Sequence, residues 1–144
     1  MSTKRVGEGT IVAPTDWWKA LPRKTYSELQ RLQSSQPWFE VYKINPDTYV
    51  FYEPGQFEEV ISYLVVGKER AALIDTGLGI GNVKRLAEEF TSLPIRVVNT
   101  HSHYDHIGQN YLFDSVAIFD APNARQAAKN GYSKAEMSRL LADG

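Results

Sequence analysis

The residues that could do chemistry are concentrated in one short stretch of the chain. The sequence contains three histidines, His101, His103 and His106, and Asp105 lies between the last two. Neutral imidazoles and carboxylates are the ordinary protein ligands of divalent transition metals, above all zinc. Histidines crowded around an aspartate, with none elsewhere, therefore predict a metal site. The alternative interpretation is a polar loop in which the histidines are coincidental.

The element before the histidines would position them. Residues 95–99 contain three apolar β-branched side chains, Ile95, Val97 and Val98, which is typical of a buried strand. In extended backbone, residues two apart point to the same side, so His101 and His103 can reach one ion. Asp105 and His106 come where the chain turns into a short helix, so they project towards a neighbouring point. We therefore expect two adjacent metal positions, like the ions about 3.5–4 Å apart in two-metal hydrolases.

The same stretch carries a family resemblance. The pattern His-x-His-x-Asp-His at residues 101–106, followed by Gly108, resembles the signature of the metallo-β-lactamase superfamily. The upstream run Leu-Ile-Asp-Thr-Gly at residues 73–77 is similar to a second landmark of that family. The resemblance covers about Phe39 to Asn130. One small departure is Gln109, where many members have a second glycine.

The resemblance implies a role for each matching residue. His101 and His103 would bind a first metal ion, and Asp105 and His106 a second one. Asp105 would also be the catalytic residue that orients the nucleophile. We call residues 100–108 the ligand loop. Asp75 would be a buried carboxylate that steadies this loop from behind. The implied cofactor is zinc, as one or two ions, with iron or manganese as alternatives.

The resemblance also implies a fold and an incomplete site. The family fold resembles a four-layer αβ/βα sandwich of the α+β class, and we expect this chain to contain only its N-terminal αβ half. Family members complete their sites with a further histidine, a bridging aspartate and a last histidine. No histidine follows His106 in this sequence. We therefore expect an isolated single copy to be inactive.

Two function classes stay open from the sequence. The resemblance implies a metal-dependent hydrolase that cleaves an ester, thioester, amide or phosphoester through a metal-bound hydroxide. The alternative is a non-catalytic metal-binding or assembly module that needs a second chain or a homodimer to complete the fold. The substrate is not indicated, because a shared fold hosts many substrates.

The rest of the chain is divided into two parts. Residues 1–36 are predicted to be an N-terminal extension with helical character only at 25–33, and residues 37–144 the N-terminal half of a metallo-β-lactamase-like domain. The predicted strands are 39–44, 49–53, 60–66, 71–75, 95–99 and 116–119, and the predicted helices are 82–90, 123–130 and 134–142, the last capped by Ser133.

Strand composition predicts a partner. Residues 60–66 and 116–119 are apolar at successive positions, which is typical of strands covered on both faces. The predicted helices can cover one face only. The other layer would come from the rest of a longer enzyme, from a separate complementary half, or from a second copy about a two-fold axis.

Composition excludes several other classes. A formal net charge of −1 gives no electrostatic case for nucleic acid or an anionic membrane. The chain has no cysteine, so it can form neither disulfides nor thiolate metal sites. A glycine-rich turn at 77–81 is similar to a dinucleotide-binding turn, but Asn82 occupies the position of the third glycine. Without a secretory signal or a membrane-length apolar run, we expect a cytoplasmic protein.

Overall fold

The computed structural model describes residues 3–6, 9–12 and 16–142. The first two strands, β1 (Thr3–Val6) and β2 (Gly9–Val12), pair antiparallel and form a small sheet of their own. Short 3₁₀ helices follow at Trp17–Ala20 and Lys24–Glu28. Neither β1 nor β2 is among the strands predicted from the sequence.

A seven-stranded mixed sheet forms the body of the protein and confirms the predicted α+β class. Its strands lie in chain order, with antiparallel pairing from β3 to β7 and parallel pairing of β7 with β8 and of β8 with β9. The strands are β3 (Gln30–Leu32), β4 (Glu40–Asn45), β5 (Thr48–Tyr52), β6 (Ile61–Val66), β7 (Ala71–Ile74), β8 (Ile95–Val98) and β9 (Val116–Ala117).

The N-terminal segment contributes to this sheet. The predicted helical character at 25–33 is wrong for its second half, because Gln30–Leu32 is strand β3 and pairs with β4. Only Lys24–Glu28 is helical, and it forms a 3₁₀ helix. The edge of β4 offers backbone partners that a short isolated helix cannot match, so pairing overrides local propensity. The domain boundary after residue 36 stays a prediction.

Four α-helices follow the hairpins. They are α1 (Val83–Glu88), α2 (Tyr104–Ile107), α3 (Pro122–Asn130) and α4 (Lys134–Ala142). Asn82 caps α1, because its side chain accepts a hydrogen bond from the Arg85 N–H at 2.9 Å. Ser133 caps α4 as predicted: its hydroxyl accepts from the Glu136 N–H at 3.2 Å, and the Glu136 carboxylate accepts from the Ser133 N–H at 2.7 Å.

The main core lies between the sheet and α1. Strand side chains alternate, so every second residue points to this face. In α1, Val83, Leu86 and Ala87 are fully buried against it. The buried members of this core are Phe39, Val41, Phe51, Leu64, Ala71, Leu73, Val83, Leu86, Ala87 and Val97.

The opposite face of the sheet is only partly covered. Tyr26 and Leu29 of the N-terminal segment pack against a small cluster of Tyr42, Val50 and Tyr52. Farther along the same face, apolar side chains stay exposed, and we call them the open face: Ile44, Tyr63, Val65 and Val98. Within the described residues this face of strand 60–66 therefore has only partial cover, and the predicted outer layer from outside these residues stays a prediction.

No helix among residues 3–6, 9–12 and 16–142 is long and apolar enough to cross a membrane.

Leu64 and Val65 give a matched test of the two faces. Leu64 is fully buried in the main core, whereas Val65 on the open face is 40% exposed. We expect Leu64→Ala to lower the free energy of unfolding by about 2–5 kcal/mol, because it removes transfer energy and leaves a cavity. Val65→Ala should cost about 1 kcal/mol or less. Urea denaturation measures both, and equal losses would mean that the open face is buried in solution.

Candidate metal centre

The site lies at the carboxyl ends of the parallel strands β7 and β8. Asp75 directly follows β7, and its N–H donates to Val98 O at the end of β8 at 3.0 Å. Thr100 and the histidines follow β8 within a few residues. Because these two strand ends are neighbours, residues 25 or more positions apart in the chain meet at one edge of the sheet. Such an edge is where α/β sheets place their functional groups.

Five potential donor side chains converge there. In one group, ligand atoms of His101, His103 and Asp105 lie within 4.8 Å of one another, and in a second group those of Asp75, His101 and His106 do. The ring centroid of His101 is 4.5 Å from that of His103 and 4.2 Å from that of His106. Every residue that we predicted for the site is therefore in this cluster. Which of these atoms bind an ion stays a prediction.

Asp75 connects the two loops. Its carboxylate accepts hydrogen bonds from the Thr100 N–H at 2.8 Å and the Thr100 hydroxyl at 2.7 Å, and it contacts His106 Nδ1 at 2.9 Å. Burial alone would raise the pKa of Asp75, but the His106 and Thr100 contacts outweigh it and hold the pKa below its ordinary value. Its φ of 64° is left-handed, a conformation that aspartate tolerates better than most residues.

His106 lies between two carboxylates. Its Nε2 is 3.3 Å from Asp105, while its Nδ1 faces Asp75. The contacts with Asp105 and Asp75 raise the pKa of His106 to about 9. Burial acts to raise the pKa of Asp105, yet the His106 contact lowers it overall, so this carboxylate is ionised at neutral pH. A proton on Nε2 and a metal ion compete for the same lone pair.

His101 is in the opposite electrostatic situation. Burial and the neighbouring imidazoles of His106 and His103 lower its pKa, which favours the neutral ring that a metal requires. The Thr100 hydroxyl lies 2.9 Å from His101 Nδ1. His103 is the most exposed of the three histidines. The pKa values thus favour neutral His101 as a ligand in both groups.

A buried polar network behind the ligands holds the backbone of α2. The His106 carbonyl accepts from the Thr76 N–H at 2.8 Å and from Asn99 Nδ2 at 3.3 Å. Asn99 and Asn110 exchange side-chain hydrogen bonds, and the Thr76 hydroxyl donates to Asn110 Oδ1 at 3.0 Å. Sequence reasoning missed Asn99 and Asn110 as support residues. The available signal was an amide side chain on each side of the histidine stretch, Asn99 before it and Asn110 after it.

Gly108 and Gln109 fix the exit from the ligand loop. A Cβ on Gly108 would lie 2.5 Å from the Gly77 carbonyl oxygen, so no larger residue fits there. The Gln109 side chain accepts from the Val83 N–H at 2.8 Å and donates to the Gly81 carbonyl. Gln109, the departure from the family pattern, therefore ties the ligand loop to the start of α1.

Two tyrosines border the cluster. The Tyr104 hydroxyl donates to Glu58 Oε1 at 3.3 Å, and the Tyr132 hydroxyl donates to the Ser102 carbonyl at 3.0 Å. Their ring centroids are 6.2 Å apart in an edge-to-face arrangement. The segment between α3 and α4 is thereby attached to the ligand loop.

The donor set suits a divalent transition metal. Three imidazoles and two carboxylates, without a thiolate, match the preferences of zinc, iron and manganese. Asp75 at Nδ1 of His106 supplies the outer carboxylate that commonly orients a ligand histidine. The cluster therefore has the composition of a metal centre.

Comparison with known proteins agrees with this geometry. The family model "Metallo-beta-lactamase superfamily" matches residues 56–129, more than half of the chain, and this segment contains every residue of the cluster. The chain belongs to the metallo-β-lactamase superfamily. Its mixed sheet with helices is a partial αβ domain of that fold, as predicted.

Two similar proteins are longer than this chain. It is 35% identical over 83 residues to acyl-coenzyme A thioesterase MBLAC2 of Homo sapiens, and 34% identical over 83 residues to that of Bos taurus. Each match covers 49% of this chain and 29% of the relative. The matched segment thus spans less than a third of the length of these relatives.

Two solved structures are similar over a larger share of the chain. A metallo-beta-lactamase from Pontibacter korlensis is 26% identical with a TM-score of 0.49, covering 66% of this chain and 49% of that one. A metallo-beta-lactamase from Erythrobacter litoralis is 17% identical with a TM-score of 0.47, covering 69% of this chain and 48% of that one. The chain spans about half the length of each structure.

The raised pKa of His106 predicts a pH dependence in metal-free protein. Between pH 6.5, the unfolded value, and about 9, folded His106 keeps a proton that the unfolded chain has lost. Folded protein then binds more protons, so its stability falls as pH rises through this window. We expect the difference in unfolding free energy between wild type and His106→Gln to shrink from pH 6 to pH 9.5. Urea titrations in EDTA measure it, and a constant difference would contradict the account.

Proposed function

We propose that the chain provides the metal-binding part of a metal-dependent hydrolase, with one or two zinc ions as the favoured cofactor and iron or manganese as alternatives. The convergence of two three-residue donor groups on one edge of the sheet carries this proposal. In both groups the donors are imidazoles and carboxylates, and both groups contain His101. Three protein ligands with an open position are typical of a catalytic zinc site.

The residues that would hold the ions follow from the cluster. His101, His103 and Asp105 would hold one ion, and His106 would hold a second ion together with Asp105. Asp75, a member of the second group, would either bind that second ion or orient His106 through Nδ1. When bound, a divalent cation lowers the pKa of water and polarises the oxygen of the bond under attack.

The protein's own residues have separate tasks in such a reaction. Asp105, ionised at neutral pH, can accept a hydrogen bond from the attacking water and orient it as the catalytic residue. Asp75 holds His106 and Thr100 at fixed distances, which keeps the ligand loop in place before substrate binds.

A thioester is the favoured substrate within the predicted range of esters, thioesters, amides and phosphoesters. The support is the similarity to two relatives named acyl-coenzyme A thioesterase. Because the matches cover 29% of those proteins, this support comes from less than a third of their length.

Metal binding is the first test. We expect the purified chain to bind zinc. His101→Ala and His103→Ala should each raise the zinc Kd by more than about 100-fold, which exceeds the loss typical when a residue that only orients a metal ligand is changed. Asp120→Asn is the control, since Asp120 is exposed and contacts only Arg125 among the described residues. Competition with a chromophoric chelator measures Kd. Ligand variants that bind zinc as wild type does would overturn the proposal.

Thioester hydrolysis is the second test. Coenzyme A released from an acyl-coenzyme A can be followed with a thiol reagent, and a chain without cysteines gives no background of its own. Zinc-dependent turnover that His101→Ala abolishes supports the hydrolase. Because an isolated single copy is expected to be inactive, a zinc-loaded sample without turnover supports the second candidate function only if it stays inactive after a complementary C-terminal half is added.

The second candidate is a non-catalytic metal-binding or assembly module. The open face favours it, because Tyr63 and Val65 are 38% and 40% exposed and Val98 is 37% exposed on one side of the sheet. Contiguous exposed apolar surface of this kind is typical of an interaction site. Its occupant would be a second copy or a complementary C-terminal half, and neither nucleic acid nor membrane is expected as a partner.

Analytical sedimentation of the purified chain distinguishes a homodimer from a chain that needs a complementary half. A homodimer through the open face predicts a dimer whose fraction falls in Val65→Glu, because the carboxylate would be buried at the contact. Ser92→Glu, at an exposed position after α1, is the control for the added charge. A monomer with and without zinc would contradict the homodimer and leave the complementary half as the proposed partner.

A cytoplasmic location belongs to the same proposal. A chain without cysteine needs no oxidising compartment for folding. Microscopy of a fluorescent fusion would test it, and an exclusively organellar signal would contradict it.

A further inference from the structure

Glu53 is a buried carboxylate outside the donor cluster. It directly follows β5, and it is 1% exposed. Its Oε1 accepts from Trp38 Nε1 at 2.6 Å, and its Oε2 accepts from the Leu78 N–H at 3.1 Å. Burial raises the pKa of Glu53 to about 7 against these two hydrogen bonds. A buried carboxylate is costly for a fold, so its position needs an explanation.

The Glu53 carboxylate contacts the turn that directly follows Asp75. Leu78 is three residues after Asp75, and Gly77 between them has a φ of 70°. A Cβ on Gly77 would lie 2.2 Å from Glu53 Oε2, so the backbone approaches the carboxylate as closely as glycine allows. A left-handed turn of this kind is held by its surroundings as much as by its own sequence.

The same turn contacts the ligand loop on its other side. The Gly77 carbonyl accepts from the Gly108 N–H at 2.9 Å, and Gly108 follows His106 by two residues. A Cβ on Gly79 would lie 3.0 Å from the Gly108 carbonyl oxygen. The turn therefore lies between Glu53 on one side and the end of the ligand loop on the other.

We propose that Glu53 is a positioning residue for the metal centre, whose carboxylate fixes the Gly77–Leu78 turn and, through it, Asp75 and the segment from His106 to Gly108. This inference rests on the proposed metal-binding function. Glu53 and its partner Trp38 both precede residues 56–129, the segment that the family model matches. Glu53 contacts neither donor group directly, so it acts through the turn.

Glu53→Gln tests the proposal with almost no change in shape. A carboxamide has one acceptor oxygen, and its NH₂ would face a donor, either the Trp38 indole N–H or the Leu78 N–H. We expect the zinc Kd to rise about tenfold or more, the loss typical when a residue behind metal ligands is changed.

Glu59→Gln is the matched control. Glu59 is a second carboxylate with two side-chain partners, Arg23 and Tyr52, and its side chain is 15% exposed. No described contact connects it to the turn or to the ligand loop. Glu59→Gln should lower stability but keep the zinc Kd within about twofold of wild type, because its effect stays outside the loops. Equal Kd values for the wild type and Glu53→Gln, or equal losses in both variants, would overturn the proposal.

Amide hydrogen exchange in the zinc-free chain gives an independent readout. Glu53→Gln should speed exchange at Leu78 and Gly108 by about tenfold or more while leaving Leu64 in β6 unchanged, since local opening and global unfolding differ in which amides they expose. Should the wild type bind no zinc, the proposed function fails, and exchange still decides the role of Glu53. Unchanged exchange at Gly108 would overturn that role.

Trp38→Phe covers the case in which Glu53→Gln does not fold. It removes one donor and keeps both the carboxylate and the Leu78 hydrogen bond. We expect a smaller rise in zinc Kd, together with faster exchange at Leu78. A zinc Kd and exchange rates equal to those of the wild type would contradict the proposal.

Discussion

The contact of the Asp75 carboxylate with Thr100 and His106 is the constraint on which the site depends. The Asp75 carboxylate accepts two hydrogen bonds from Thr100, at the start of the ligand loop, and contacts the imidazole of His106 near the end of that loop. The loop between these anchors cannot spread without breaking one of them. Because Asp75 follows a strand and the loop follows the neighbouring parallel strand, the sheet sets the separation of the two anchors.

Further hydrogen bonds support the ligand loop and the turn after Asp75. The Asn99, Asn110 and Thr76 network holds the His106 carbonyl from behind. Gln109 connects the exit of the loop to α1, and Glu53 fixes the turn after Asp75. Buried polar groups that are fully hydrogen-bonded in this way specify one arrangement of the backbone, whereas partly satisfied ones would loosen it. The order of the site therefore comes from groups that carry no ligand atoms.

Much of the fold and all of the donor cluster could be predicted from the sequence. Strands β5 and β8 are rich in aromatic or β-branched residues, which favour strands, and residues 101–106 indicate metal chemistry by their types and spacing. Strand β3 could not be predicted, since its only justification is pairing with β4. The burial of Glu53 could not be predicted either. A charged residue at the end of a hairpin is usually exposed, and Glu53 is buried because Trp38 and Leu78, which are distant in sequence, pack around its carboxylate. An uncovered face could be expected from the apolar strands, because the predicted helices cover one face only, but composition does not say what covers the other.

We propose that the three histidines and Asp105 bind a divalent metal ion. Crystals grown with zinc and measured on both sides of the zinc absorption edge test it most directly. We expect an anomalous difference peak within coordination distance of His101, His103 and Asp105, with Asp75 still in contact with Thr100. Anomalous maps with no peak at this cluster, from crystals that contain ample zinc, would contradict it.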